Sequence, residues 1–202
     1  LFWAAKGVDG FRCDMAEMVP HEFWAYATQQ VKERYPEMIF IGEVYDPNQY
    51  RMYVESGFDY LYDKVGMYDC VRGVMCDERP ASSITHEWQK VDDIRDHMLY
   101  FLENHDEQRI ASDFFAGNPW KGVPGMIVSA LLQQNPVMVY AGQEFGERGM
   151  DKEGFSGQDG SVRGSHQHYP LCCWWNHRDR RCSRRCIQRN HHWLWRPSRC
   201  KG

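Results

Sequence analysis

Residues 7–17 read GVDGFRCDMAE. Apolar and polar positions do not alternate cleanly through the first eight of them, as expected of a strand covered on both faces. A period of two puts Gly10, Arg12 and Asp14 on one face and Phe11 and Cys13 on the other. A short strand over 7–14 therefore finishes on a fixed cation and a carboxylate one residue apart. Such a pair has two readings. It caps a strand as a structural ion pair, or Asp14 performs chemistry while Arg12 keeps it ionised. The rest of the chain decides between them.

Outward from this strand the pattern alternates. Pro20 suits a first helical turn. In 21–35, HEFWAYATQQVKERY, residues Phe23, Trp24, Ala27 and Val31 form an apolar stripe at helical spacing, with Trp24 expected in the core. Pro36 ends that helix, and MIFIGE (38–43) is a second apolar strand closing on a carboxylate. GFDYLYD (57–63) reads as a third strand, with helical patterns near 65–76 and 85–95. HMLYFLENHD (97–106) is a fourth strand ending in polar residues. Residues 120–134 read as a buried helix through Met126, Ile127, Val128, Ala130, Leu131 and Leu132, and PVMVYAG (136–142) as a further strand. Strand and helix in repeated alternation predict an α/β fold of parallel strands with helical crossovers.

Asp14, Glu43 and Asp106 each close a predicted strand. In a (β/α)8 TIM barrel, strand ends of this sense converge on the C-terminal face, where active sites sit. The spacings fit strands n, n+1 and n+3. Carboxylates brought together repel, so one is driven toward its protonated form, while a neighbouring cation holds another ionised. One ionised and one protonated acid is the equipment for hydrolysing a glycosidic bond. Any one of these acids alone reads as a solvated loop residue or a helix cap. The constellation is far more specific.

GFRCD, IGE and FLENHD resemble three of the four short sequence regions of the α-amylase family, glycoside hydrolase family 13, in the family's order. The resemblance covers residues 1–160, including EGFSGQDG (153–160), which is similar to a loop after the last barrel strand. It implies a fragment of the barrel, roughly strands 4 to 8 with their helices, acting on α-1,4-glucans such as starch, glycogen and maltodextrins. Asp14 would be the nucleophile that forms a covalent glycosyl-enzyme. Glu43 would be the general acid and then the base. Asp106 would bind sugar hydroxyls, Arg12 would orient Asp14, and His105 would hydrogen-bond the sugar. Tyr45 is a candidate sugar-stacking residue, as is Phe155, each set against a plain packing role. Many α-amylases carry a Lys-His pair where this chain has Glu17 and Met18, which leaves substrate preference open. The first region, the first three strands and the calcium ligands that many members carry would lie outside this chain, so no metal ligand is assigned within it. An exo-α-glucosidase or transglycosylase of the same family, and a non-catalytic amylase-like carbohydrate-binding protein, remain alternatives.

Composition divides the chain. From residue 161 onward there are ten Lys and Arg against one acidic residue, while the first 160 carry 14 basic and 27 acidic residues. An acidic body does not favour nucleic acid as the main partner. No run of 18 apolar residues marks a membrane-spanning helix. Cys13, Cys70 and Cys76 are too scattered for a disulfide framework and read as free thiols. Residues 161–202 are rich in Arg, Cys, Trp and His without sustained periodicity, and are read as an irregular tail, either out-of-frame translation or a chimeric end. A zinc site from Cys182, Cys186, His191 and His192, or a basic nucleic-acid arm, is the alternative. No signal peptide is visible, the N-terminus is read as missing, and localisation stays open.

Overall fold

A computed structural model describes residues 1–149 of the chain. They fall into two compact units that divide after Leu61. In the first, β1 (Gly10–Cys13) pairs in parallel with β2 (Ile39–Gly42), in a register running from Gly10 opposite Ile39 to Cys13 opposite Gly42. Residues Ile41 and Gly42 then pair in parallel with Tyr60 and Leu61 of β3 (Tyr60–Tyr62). Each strand is shorter than its sequence span. For β1 the reason is local: Gly7 and Met15 have positive φ (87° and 44°), so the backbone leaves the extended region on both sides.

Helix α1 (His21–Lys32) joins β1 to β2. Lys32, in its last turn, donates to the Gly57 carbonyl (2.8 Å) and to Asp59 (2.7 Å). Asp59 also accepts the Phe40 N–H (2.7 Å), which ties the segment before β3 to β2. The expected stripe holds in part. Val31 is buried, and Trp24 is half-buried against Phe58 with its indole N–H on the Ala16 carbonyl (2.9 Å). Phe23 is a correction: it is exposed, because it leans edge-on against Trp24 from outside. A short helix α2 (Tyr50–Glu55) was not expected; it buries Tyr50 and Tyr53. It closes on Gly57 at φ 96°, where an added Cβ would collide with the hydroxyl of Thr28.

In the second unit, β4 (Met98–Phe101) is buried at every position and pairs in parallel with β5 (Val137–Met138). The Asp63 N–H, just after β3, donates to the Leu99 carbonyl (3.2 Å). Phe101 stacks on Tyr68 at 4.9 Å and meets Tyr62 at 5.3 Å. The helical pattern near 65–76 resolves into a π-turn (Lys64–Tyr68) followed by α3 (Asp69–Met75). The pattern near 85–95 is shifted earlier, to α4 (Ser82–Lys90).

Helix α5 (Gly122–Leu131) reverses the expected burial. Gly122, Gly125 and Ser129 face inward, while Val123, Ile127 and Leu131 are exposed. A Cβ on Gly125 would lie 2.7 Å from the Met75 sulfur and 3.1 Å from Val71, so the small residues are what let α5 approach α3. The loop after β4 is pinned by a buried ion pair, Arg109 Nη1 to Glu103 at 2.6 Å, with both side chains under 5% exposed. The other Glu103 oxygen accepts the Ile110 N–H (2.7 Å), and Arg109 also donates to the Ala141 carbonyl beyond β5. No helix among the described residues is long and apolar enough to cross a membrane. Residues 153–160, Phe155 and the whole 161–202 segment, with its zinc and nucleic-acid alternatives, lie outside the described residues.

Two stability predictions follow from this packing, one for each unit. Gly57→Ala combines a left-handed backbone with a collision at Thr28, and should lower unfolding free energy by about 1–3 kcal/mol. An unchanged urea midpoint for this variant would contradict the Gly57–Thr28 packing. Arg109→Ala strands a buried carboxylate and should cost about 3–5 kcal/mol. The double change Glu103→Gln with Arg109→Met removes both charges and keeps an acceptor for Ile110, so urea titration should find it less damaging than Arg109→Ala.

Candidate active site

The parallel register of β1 and β2 sets out the first cluster. Cys13 and Gly42 are partners, so the next residue of each strand, Asp14 and Glu43, leaves the sheet at the same edge. The ladder runs one step further, with the Glu43 N–H donating to the Cys13 carbonyl (3.1 Å). Arg12 then bridges the two carboxylates: Nη1 pairs with Asp14, and Nη2 pairs with Glu43 Oε1 at 2.7 Å. Their environments differ sharply. The Asp14 side chain is 73% exposed and that of Glu43 is 4% exposed. One carboxylate is open to an incoming molecule, and the other is held in the wall.

Among the described residues, the Glu43 side chain meets three partners. Besides Arg12, its Oε2 accepts the Met15 N–H (2.8 Å), and its Oε1 accepts from the Tyr45 hydroxyl (3.3 Å). Arg12 and the amide can only donate, whereas a phenol can donate or accept. Of the three, Tyr45 alone can stay hydrogen-bonded to Glu43 whether that group is charged or neutral. Met15 reaches Glu43 from a left-handed conformation, uncommon outside glycine, at the start of the turn Ala16–Met18. Cys13, between Arg12 and Asp14, faces the opposite way and is buried. Burial pushes its thiol up to about 11, outweighing the pull of Arg12. It is therefore a neutral packing group near neutral pH, not a competing nucleophile.

The second cluster lies in the second unit, just beyond β4. Buried Asn104 accepts the Asp106 and Glu107 N–H groups on its side-chain oxygen (2.9 and 2.8 Å), which folds NHD into a tight turn. That turn presents His105 and Asp106 outward, 3.2 Å apart through Nε2 and Oδ2, with side chains 51% and 39% exposed. Glu107 turns inward to Lys64 (3.1 Å) and to the Tyr68 hydroxyl (3.0 Å). Burial, first of all, and the Glu107 charge push the Tyr68 phenol far up, so it stays a donor.

The structure thus brings Arg12, Asp14, Glu43 and Tyr45 together in one unit, and Asn104, His105 and Asp106 together in the other. Sequence reasoning missed three contributors. The Met15 amide is a backbone group that no side-chain pattern marks. Asn104 was visible only as part of the NHD run. Glu17 drew notice as a departure from a family pattern, yet its carboxylate accepts the N–H groups of Tyr45 and Asp46. Among the described residues no three His, Cys, Asp or Glu side chains converge as a metal cage.

Comparison with known proteins identifies the family. Residues 1–192 match the family described as alpha amylase, catalytic domain. The chain is 27% identical over 161 residues to neopullulanase 2 of Thermoactinomyces vulgaris, covering 73% of this chain and 26% of that protein. It is 33% identical over 148 residues to alpha-amylase MalA of Haloarcula japonica, covering 70% and 21%. It is 23% identical over 137 residues to an alpha-1,4-glucan:maltose-1-phosphate maltosyltransferase of Myxococcus xanthus, covering 67% and 17%. The alpha-amylase of Geobacillus thermoleovorans, solved with acarbose, superposes with a TM-score of 0.65 at 24% identity, over 77% of this chain and 37% of that one. The chain therefore spans about a quarter or less of the length of these curated relatives, and its parallel strands and helices match part of the (β/α)8 barrel. By the arrangement of its strand ends and by its match over residues 1–192, the chain belongs to the alpha-amylase catalytic-domain family of glycoside hydrolases and transferases.

Proposed function

We propose that the enzyme carrying this chain is a retaining α-glycoside hydrolase that cleaves α-1,4-glucans such as starch, glycogen and maltodextrins. The observation that carries this reading is Arg12 between an exposed Asp14 and a buried Glu43. An Asp14 oxygen attacks the anomeric carbon as the bond from that carbon to the leaving oxygen breaks, and Glu43 passes its proton to that oxygen. In the second half, Glu43 takes a proton from water, the water oxygen attacks the same carbon, and the bond to Asp14 breaks. Each step inverts the centre, so the pair of steps retains it. Arg12 orients Asp14 for attack, and its second nitrogen keeps Glu43 at a fixed distance from the nucleophile. Asp106 and His105 are assigned to sugar hydroxyls, where hydrogen bonds that tighten as charge develops lower the barrier. Tyr45 is assigned to the sugar next to Glu43.

Transfer to a second sugar instead of water uses the same covalent intermediate, and the maltosyltransferase among the relatives supports that second reading. A non-catalytic carbohydrate-binding role would leave Asp14, Glu43 and Asp106 without work.

With maltoheptaose, freshly released reducing ends followed by NMR should first appear as the α-anomer; a β-anomer burst would overturn retention. In the same enzyme Asp14→Asn should lower turnover at least about a thousandfold with little change in binding. Near-normal turnover would remove Asp14 from the nucleophile's role. The 202-residue chain by itself is proposed to be inactive on starch, since parallel strands without the rest of a barrel leave an edge and an inner face uncovered. Starch hydrolysis by the purified chain would overturn that.

A further inference from the structure

We propose that Glu17 is a positioning residue for Glu43, acting through Tyr45; the inference rests on the reading of Glu43 as the proton donor. Glu17 sits in the turn Ala16–Met18 that follows β1. One of its oxygens accepts two successive backbone N–H groups, those of Tyr45 (2.9 Å) and Asp46 (3.0 Å). Both belong to the segment that leaves β2 immediately after Glu43. The same turn grips Glu43 itself twice more. The Ala16 N–H donates to the Glu43 carbonyl (2.9 Å), and the Met15 N–H donates to its side chain (2.8 Å).

The consequence is geometric. Hydrogen bonds to an ionised acceptor are about twice as strong as neutral ones, and two of them on consecutive amides fix the path of the backbone. Residues 43, 45 and 46 are thus all held from one turn, 28 residues away in sequence. Tyr45 needs that support because it leaves the sheet beyond the last ladder bond, yet its hydroxyl must stay within reach of Glu43 Oε1. It is also the one partner of the three that can accept as well as donate. When Glu43 carries the proton to be delivered, Arg12 and the Met15 amide cannot receive a hydrogen bond from it, and Tyr45 can. Glu17 thereby sets where that proton points. A lysine at this position, as in many members of the family, could not accept from either amide, so residue 17 does a different job in this chain.

The test separates a positioning role from a merely structural one. In the 202-residue chain, Glu17→Ala should speed hydrogen exchange of the Tyr45 and Asp46 amides about tenfold or more, leaving the β1–β2 ladder amides unchanged. In the enzyme carrying the chain, kcat/KM, which reports only the steps up to the glycosyl-enzyme and not its hydrolysis, is compared on maltoheptaose, whose leaving oxygen needs a proton, and on α-maltosyl fluoride, whose leaving group does not. Glu43→Ala should cost about 10²–10⁴-fold on the first and far less on the second. Glu17→Ala should show the same selectivity at about tenfold, and Glu17→Gln, which keeps an acceptor oxygen, should recover part of the loss. Unchanged amide exchange, or equal losses on both substrates, overturns the role of Glu17. Equal losses for Glu43→Ala overturn instead the assignment of Glu43 as proton donor, and the inference with it.

Discussion

The arrangement depends on a single guanidinium placed between two carboxylates. Arg12 cannot give up its charge, and its two terminal nitrogens are fixed relative to each other. An acid on each nitrogen is therefore held at a set distance from the other, whatever the loops around them do. The strand ladder places the partners before the arginine acts. Cys13 and Gly42 are register partners, so Asp14 and Glu43 emerge side by side, and a slip of one residue would put Arg12 on the opposite face. On its other side Gly42 leaves room for Leu61 and Phe58, since a Cβ there would lie 2.9 Å from Leu61 and 3.0 Å from Phe58.

Exposure then separates the two acids. The Asp14 side chain is open to solvent. Glu43 is walled in by Arg12, the Met15 amide and Tyr45. A carboxylate open to water and one enclosed by directed donors meet different surroundings despite a shared functional group. In the other unit, Asn104 does for the NHD turn what the Met15 turn does for Glu43. It satisfies the backbone from inside, so that His105 and Asp106 keep their own side chains for outside contacts.

The strand ends were legible in the sequence because their signal is short-range. A run of apolar residues stopping on an acid states both the element and its terminus, as in IFIGE and GFRCD. Helix α5 was legible as a helix but not in its orientation. Hydrophobicity pointed Ile127 and Leu131 inward, whereas the buried positions are the small residues Gly122, Gly125 and Ser129, with Gly125 against Met75 and Val71 of α3 and Gly122 against Ile110. Contact distance outweighed apolar area there, and single-residue hydropathy does not register it. Helix α2 was missed because six residues give too little periodicity to count. Glu17 was noticed for what it is not. Its actual partners are backbone amides, which carry no residue identity for a sequence to display.

FLENHD contains two acids, Glu103 and Asp106, three residues apart, and the structure explains why only one of them is free for chemistry. Both oxygens of Glu103 are committed, one to Arg109 and the other to the Ile110 N–H, and its side chain is buried. A carboxylate so paired cannot accept a sugar hydroxyl without breaking a buried ion pair, at a cost of several kcal/mol. Its work is mechanical. Arg109 reaches on to the Ala141 carbonyl beyond β5 and lies over the Tyr140 ring at 4.5 Å, so the turn after β4 is tied to the segment after β5. With the base of the turn fixed in this way, Asp106 is left partly exposed with His105 beside it. Within FLENHD the two acids are thus told apart by burial and by the partners already taken: Glu103 is enclosed with both oxygens engaged, whereas the Asp106 side chain is 39% exposed.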